Sequence, residues 1–454
     1  MSGPSRREIM ASGSLGLLAA SALPLRAGMA QMASPGPMPD GATLGLVPDD
    51  SADQTDRLQA AIDRAATAGT GLILPPGRFR TGTLRLRGPI ALAGSPGGTV
   101  LEATAPGRAL LALEGEGIRL ANIEVLGTGG EASGPDMAWA LIDGRECRNL
   151  HLQQVTVRRS ASGGIRLDGC SGRIEQCTIR EIANVALLSL DAAGLSIVAN
   201  DIADIGNNGV QVWRRVPGPD GTLIAQNRLS GIRAEAGGSG QNGNGINVFR
   251  AGDVMVAQNA ISDCVFSAVR VNGAANVQVI GNSCQRLGEV ALYAEFGFEG
   301  VIISNNLVDR AALGISLTNF DQGGRLAVCS GNLVRNLFIR QEGEPRGIGI
   351  SVEADASVTG NVIEGAPVAG IMIGWGAYLR DVAVTGNVVR SSGVGIAASI
   401  HSGQGRIVIS QNLLSGCADG AIVGHDYGRI VTPDLAAEGA GPVPEHLIIS
   451  GNAS

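Results

Sequence analysis

Short apolar–polar alternations recur along most of the chain, as in "GGIRL", "NGVQV", "NGINV", "LGISL" and "GIGISV", and Gly/Asn turns separate them. A period of two predicts half-buried β-strands, and the turns predict that each strand is brief. The alternations belong to a longer repeat. "SVTGNVIEGAPVAGIMI" begins at Ser357, and "AVTGNVVRSSGVGIAAS" begins 26 residues later at Ala383. The same Asn, preceded by an alternating run, recurs at Asn200, Asn227, Asn259, Asn282, Asn306, Asn332, Asn361, Asn387 and Asn412. Weaker copies surround Val155 and Cys177, and Asn122 and Asn452 are candidate terminal copies. Most intervals run from 23 to 29 residues, too short for the four strands of a propeller blade and without a helix pattern in each repeat. One interval per coil of a parallel β-solenoid fits, with about a dozen coils. Stacking would set equivalent Asn side chains about 4.8 Å apart, where their amides can form a ladder and satisfy turn backbone groups.

One stretch breaks the pattern. "TDRLQAAIDRAATAGTGLILPPGRF", from Thr55, places Leu58, Ala61, Ile62 and Ala65 on one helical face. Asp53 or Thr55 would cap its start and Gly69 its end. Such a helix would cover the open first coil, which otherwise exposes core and unpaired strand edges. The expected organisation is a leader over residues 1–30, a linker over 31–42, cap helix and first coils over 43–117, and repeats over 118–454.

Composition agrees with a strand-and-turn protein: 454 residues, 68 Gly, 44% hydrophobic and only 3% aromatic. Every basic residue is Arg, which excludes lysine chemistry, and the net charge of −7 gives nucleic-acid binding little support. The seven Cys include no CxxC pair, so buried free thiols are expected rather than a disulfide framework or zinc site. Beyond the leader no apolar run is long enough to span a membrane.

The leader carries Arg6 and Arg7, then an apolar Gly/Ala-rich stretch, then Gly28-Met29-Ala30 as a small-x-small cleavage site. It resembles a twin-arginine export signal, with Ile9 and Met10 in place of the usual Phe-Leu. The resemblance implies passage through the twin-arginine translocase and a periplasmic or secreted product. The repeats and cap resemble the right-handed, single-stranded parallel β-helix proteins of the pectin-lyase-like superfamily. With the leader, "GNGINVFRAG" and "LYAEFGFEG" resemble more narrowly a family of twin-arginine-translocated repeat proteins of unknown function. That resemblance implies a fold and relatives, not an activity.

Counting from the ladder Asn locates a face. The next strand's first inward residue follows nine or ten positions later in most coils, as from Asn282 to Leu292. Two coils carry about nine extra residues, "RAEAGGSGQ" and "IRQEGEPR", and such insertions wall grooves. With Ile165, Leu188, Val210, Ile246, Val269 and Leu292 inward, alternation puts Arg166/Asp168, Ser189/Asp191, Gln211/Trp213, Asn247/Phe249, Arg270/Asn272 and Tyr293/Glu295 outward. Aromatics beside polar groups suit a sugar ring. An ordinary solvated sheet face would show the same alternation.

The expectation is a protein that acts on or binds polysaccharide. For a uronate lyase or epimerase, Arg270 would neutralise a carboxylate, Tyr293 would act as acid or base, and Glu295 would assist. Asp168, Asp191, Gln211, Trp213, Asn247, Phe249 and Asn272 would contact substrate. For a hydrolase, Asp168 and Asp191, taken as equivalent positions one coil apart, would be the carboxylate pair. The alternative is a non-catalytic envelope or surface protein that binds glycan or protein along the same face. No metal site is signalled, and calcium is the one cofactor left open. "GHDYG", from Gly424, groups His425, Asp426 and Tyr427, and reads first as a polar turn.

Overall fold

A computed structural model describes residues 45–130, 139–238, 240–318, 323–340, 346–401, 403, 405–439 and 441–454. The leader, with Arg6 and Arg7, and the linker lie outside the described residues. From Leu72 to Ser450 the chain winds through three sheets of 15, 14 and 15 strands, each strand pairing in parallel with its equivalents one coil before and after, except Arg429–Ile430, which ends the third sheet as an antiparallel hairpin. This is a right-handed parallel β-helix. Its strands are short, most of three to six residues, and the burial of alternate residues follows the sequence alternation, as in Leu195–Val198 and Ile407–Ser410.

The first sheet leads into the second through the Asn ladder. In each rung the Asn side-chain oxygen accepts the backbone N–H and the side-chain N–H of the preceding Asn. Asn282 Oδ1 takes them from Asn259 at 2.9 and 3.0 Å, while its own Nδ2 donates to Val256 O at 3.0 Å. The ladder runs without a gap from Asn200 to Asn452. Upstream, Cys177 fills the equivalent position and donates its N–H to Asn200 Oδ1. Asn122 does not join. It takes a left-handed φ of 56°, the conformation that precedes each rung and that Gly281, Gly331, Gly360 and Gly386 adopt without strain. That is why five of the ten rungs read Gly-Asn, while Ala199, Gln226, Gln258, Asn305 and Gln411 hold the same conformation before the others.

The cap helix spans Thr55–Thr67 and buries Leu58, Ala61, Ile62 and Ala65. Asp53 Oδ1 accepts the Thr55 N–H at 2.8 Å, and Gly69 ends the helix at φ +63°. The Thr55 hydroxyl oxygen accepts the Gly82 N–H at 2.6 Å, fastening the helix to the first coils. All seven Cys are free and six are buried. Burial pushes the Cys177 thiol up to about 12. Among the described residues no helix is long and apolar enough to cross a membrane.

Candidate functional site

The outer surface of the third sheet carries two continuous rows of side chains. One passes from Asp143 through Arg166, Leu188, Gln211, Asn247 and Arg270 to Tyr293 and Ser316. The second passes from Arg145 through Asp168, Leu190, Trp213, Phe249 and Asn272 to Glu295. The expected outward pairs stand there in every coil but one. In the strand Val185–Leu190, Ile165 pairs with Leu187, not Leu188, so Leu188 and Leu190 face outward and Ser189 is buried. Asp191 follows in the turn at φ 48° and is not the coil-neighbour of Asp168, whose partner is Leu190. The physical reason is local. Leu188 packs outward with Ala140, Val185 and Trp213, so apolar residues occupy both faces of this strand and alternation cannot tell them apart.

Asp168 and Asp191 meet all the same through Arg215. Its guanidinium donates to Asp168 Oδ1 and Oδ2 at 3.0 and 2.7 Å and closes on Asp191 Oδ2. Arg215 holds the Asp168 carboxyl below the usual carboxylate range, which disqualifies it as a proton donor near neutral pH. Trp213 donates its indole N–H to Asn247 Oδ1 at 3.2 Å and meets Phe249 edge-on at 5.7 Å.

Two coils further on lies a second charged cluster. Arg270 donates from Nε to Glu295 Oε1 at 2.6 Å and from Nη2 to Oε2 at 3.0 Å, and Asn272 donates to the same carboxylate at 2.9 Å. The guanidinium carbon sits 5.2 Å from the Tyr293 ring centroid. These side chains face away from the core yet are covered: Tyr293 is 7% exposed and Glu295 1%. Tyr293 is covered by Leu313, Ile348 and Met372 of the following coils, and Arg270 by the first insertion. Gly240 lies so close to Arg270 that a Cβ there would stand 1.7 Å from Nη1. The loop is pinned by Asn208, which donates to Gln241 O at 3.0 Å, and by Asn244, which donates to Gly240 O at 2.8 Å. Arg270 Nη1 is buried without a hydrogen-bond partner.

Sequence reasoning missed Glu289. It sits in the turn before the strand Val290–Glu295, outside any alternation. Arg340 of the second insertion approaches it at 3.6 Å, and its Oε2 is buried without a partner. Burial raises the Glu289 carboxyl above its ordinary 4.5, against the pull of Arg270, Arg340 and Arg346. Burial, with the Glu295 charge behind it, also raises the Tyr293 phenol. The folded protein therefore holds the Glu289 proton more tightly than the unfolded chain. The stability this brings is complete below about pH 4.5 and is lost as pH rises through the raised value. Glu289→Gln is expected to remove that loss. Urea midpoints at acid and neutral pH should lie closer together in the variant than in the parent.

The face also begins earlier than the sequence suggested. A cleft of about 520 Å³ at its N-terminal end is lined by Arg85, Arg87, Glu114, Trp139, Asp143 and Arg145. Among the described residues no group of three His, Cys, Asp or Glu is placed to hold a metal ion.

The sequence profile of a family described as "right handed beta helix region" matches residues 141–319 and, overlapping, 216–389, together more than half of the chain. The chain belongs to that family. No curated protein matches it in sequence. Among solved structures, the β-helix is similar to the catalytic unit of a thermostable GH87 α-1,3-glucanase from Streptomyces thermodiastaticus strain HF3-3. The TM-score is 0.56 at 16% identity, over 87% of this chain and 68% of that one. It is also similar to the N-terminal fragment of bacteriophage phi29 gene product 12, with a TM-score of 0.63 at 13% identity over 86% and 72%. At such identities the likeness establishes the fold alone.

Proposed function

We propose that this β-helix acts on polysaccharide laid along the outer face of its third sheet, by proton transfer at a uronate-type sugar. The observation that carries the reading is the buried cluster of Arg270, Tyr293, Glu295 and Glu289, met by Gly240 and Arg340. Burying charged groups is costly and concentrates at sites that use them. Removing a proton beside a sugar carboxylate needs a cation on that carboxylate, a base, and an acid for the leaving oxygen or the opposite face. Arg270 has an uncommitted Nη1 for the first task. The loop at Gly240 covers it and would have to yield for a substrate carboxylate to reach it. Glu289, raised by burial, serves as the base, and Tyr293, its phenol held protonated, serves as the acid. Glu295 and Asn272 position Arg270, while Gln211, Asn247, Trp213 and Phe249 line the path of the chain. Asp168 and Asp191, both engaged by Arg215, lose the case for a hydrolytic pair. The glucanase among the similar structures keeps polysaccharide as the substrate class. The leader's resemblance supports twin-arginine export to the periplasm or beyond.

A second reading, glycan binding without catalysis, is favoured by how little of Tyr293 and Glu295 reaches solvent. One experiment separates the two. The purified protein is incubated with polygalacturonate or alginate in deuterated water, and ultraviolet absorbance of unsaturated uronates is followed beside deuterium uptake into the polymer. Lyase chemistry gives absorbance without carbon-bound deuterium, because C5 loses its hydrogen to the double bond, and epimerase chemistry gives deuterium at C5 without absorbance. Tyr293→Phe is expected to lower either rate by about 100-fold or more. Binding with neither signal establishes the second reading, and absence of binding and chemistry on both polymers overturns the proposal.

A further inference from the structure

The chain has three Trp and three Tyr, and half of them gather away from the site above. Trp375, Tyr378 and Tyr427 lie at the corner that follows the third sheet in its last coils, exposed to 37, 37 and 54%. Trp375 and Tyr427 meet at 5.6 Å with their planes at 82°, and the His401 ring stands 5.2 Å from Tyr427. A polar rim adjoins the rings: His401 Nε2 lies 2.9 Å from Asp426 Oδ1, and Arg429 donates to Asp426 Oδ2 at 3.2 Å. Asp426 is thereby held ionised, an acceptor for hydroxyl groups.

The backbone is shaped around these rings. Asp426 to Arg429 form a two-residue hairpin turn, with Tyr427 at φ 46° and Gly428 at φ 86°. Asn-Gly is the usual choice for such a turn, and a bulky aromatic at positive φ is strained. His425, fully buried, fixes the turn: its Nδ1 accepts the Gly428 N–H at 3.1 Å, which leaves Nε2–H to donate to Ile373 O at 3.2 Å. Gly376 leaves the space that the Tyr427 ring occupies, since a Cβ there would stand 2.3 Å from its hydroxyl oxygen. Strained backbone and an absent side chain together present one exposed phenol ring to solvent.

We infer that Trp375, Tyr427 and the His401–Asp426–Arg429 rim form a second carbohydrate site, which takes a single pyranose unit of a longer chain. The C–H face of a pyranose is slightly positive and lies against the negative face of an aromatic ring. Its equatorial hydroxyls reach the rim, where Asp426 accepts and Arg429 donates. The site stands three to five rungs beyond Tyr293, roughly 14–24 Å at about 4.8 Å per rung, so one extended glycan can touch both. The inference rests on the glycan reading for the class of ligand and on separate residues for the site.

Affinity electrophoresis of the full chain through gels containing polygalacturonate, alginate or dextran tests it. Asn suits the left-handed turn, so Tyr427→Asn keeps the fold, which thermal unfolding checks. Its affinity for the retarding polymer is expected to fall roughly three- to tenfold, and Trp375→Ala should act in the same direction. Loss in these variants with normal retardation of Tyr293→Phe supports this site whatever becomes of the first. Loss in Tyr293→Phe with unchanged Tyr427→Asn and Trp375→Ala overturns it and leaves the first standing. No retardation of the parent in any of the three gels overturns both.

Discussion

Asn282→Ala is expected to cost about 3–6 kcal/mol of stability, more than a typical buried polar truncation. The side chain is 1% exposed and serves three groups, of which the two N–H groups have no other partner once it is gone. The three are the backbone N–H and the side-chain N–H of Asn259, both donating to Asn282 Oδ1, and Val256 O, which accepts from Nδ2. Each buried orphan costs about 1–3 kcal/mol. A solenoid is stabilised chiefly by nearest-neighbour coils, so the damage should be local. Hydrogen exchange at the Asn259 amide, whose acceptor is lost, should accelerate by orders of magnitude, while the cap helix and terminal coils change little. Gln285→Ala, on the exposed side of the neighbouring strand, is the control and should stay within about 0.5 kcal/mol. A urea midpoint for Asn282→Ala equal to that control would mean that the amides, though stacked, add nothing to cohesion.

The ladder was legible because it is periodic. A coil that must place one polar amide at one corner writes Asn once per coil, and the left-handed residue before it writes Gly in half of the rungs. The cap helix was legible through its buried stripe of Leu58, Ala61, Ile62 and Ala65. Register along the third sheet was legible wherever one face is apolar and the other polar, which covers Arg166, Gln211, Asn247, Arg270 and Tyr293. It failed at Leu187, where the outward Leu188 has apolar neighbours of its own. Glu289 escaped because turn residues obey no period, and Arg340 because it reaches its partner from an insertion of unpredictable path. Burial of the charged cluster escaped for the same reason. Alternation reports which way a side chain leaves the strand, not whether a loop then closes over it.

That closure makes Arg270→Met the variant with the largest consequences for the site. Glu295, 1% exposed, would keep one hydrogen bond, from Asn272, in place of three. A buried carboxylate stripped of its cation costs about 3–5 kcal/mol, whereas replacing both charges by apolar groups is often close to neutral. The double variant Arg270→Met/Glu295→Leu should therefore recover most of the stability that the single variant loses, and its urea midpoint should lie near the parent's. The penalty in the single variant is that of an unpaired charge, so it should shrink in acid, where the carboxyl takes up a proton. The same pair of variants divides structure from function. If the ion pair only holds Arg270 against the first insertion, the stable double variant keeps whatever retardation and uronate chemistry the parent shows. If Arg270 meets the substrate carboxylate through its uncommitted Nη1, the double variant folds and yet loses both, because no apolar group can replace the cation that the developing negative charge requires.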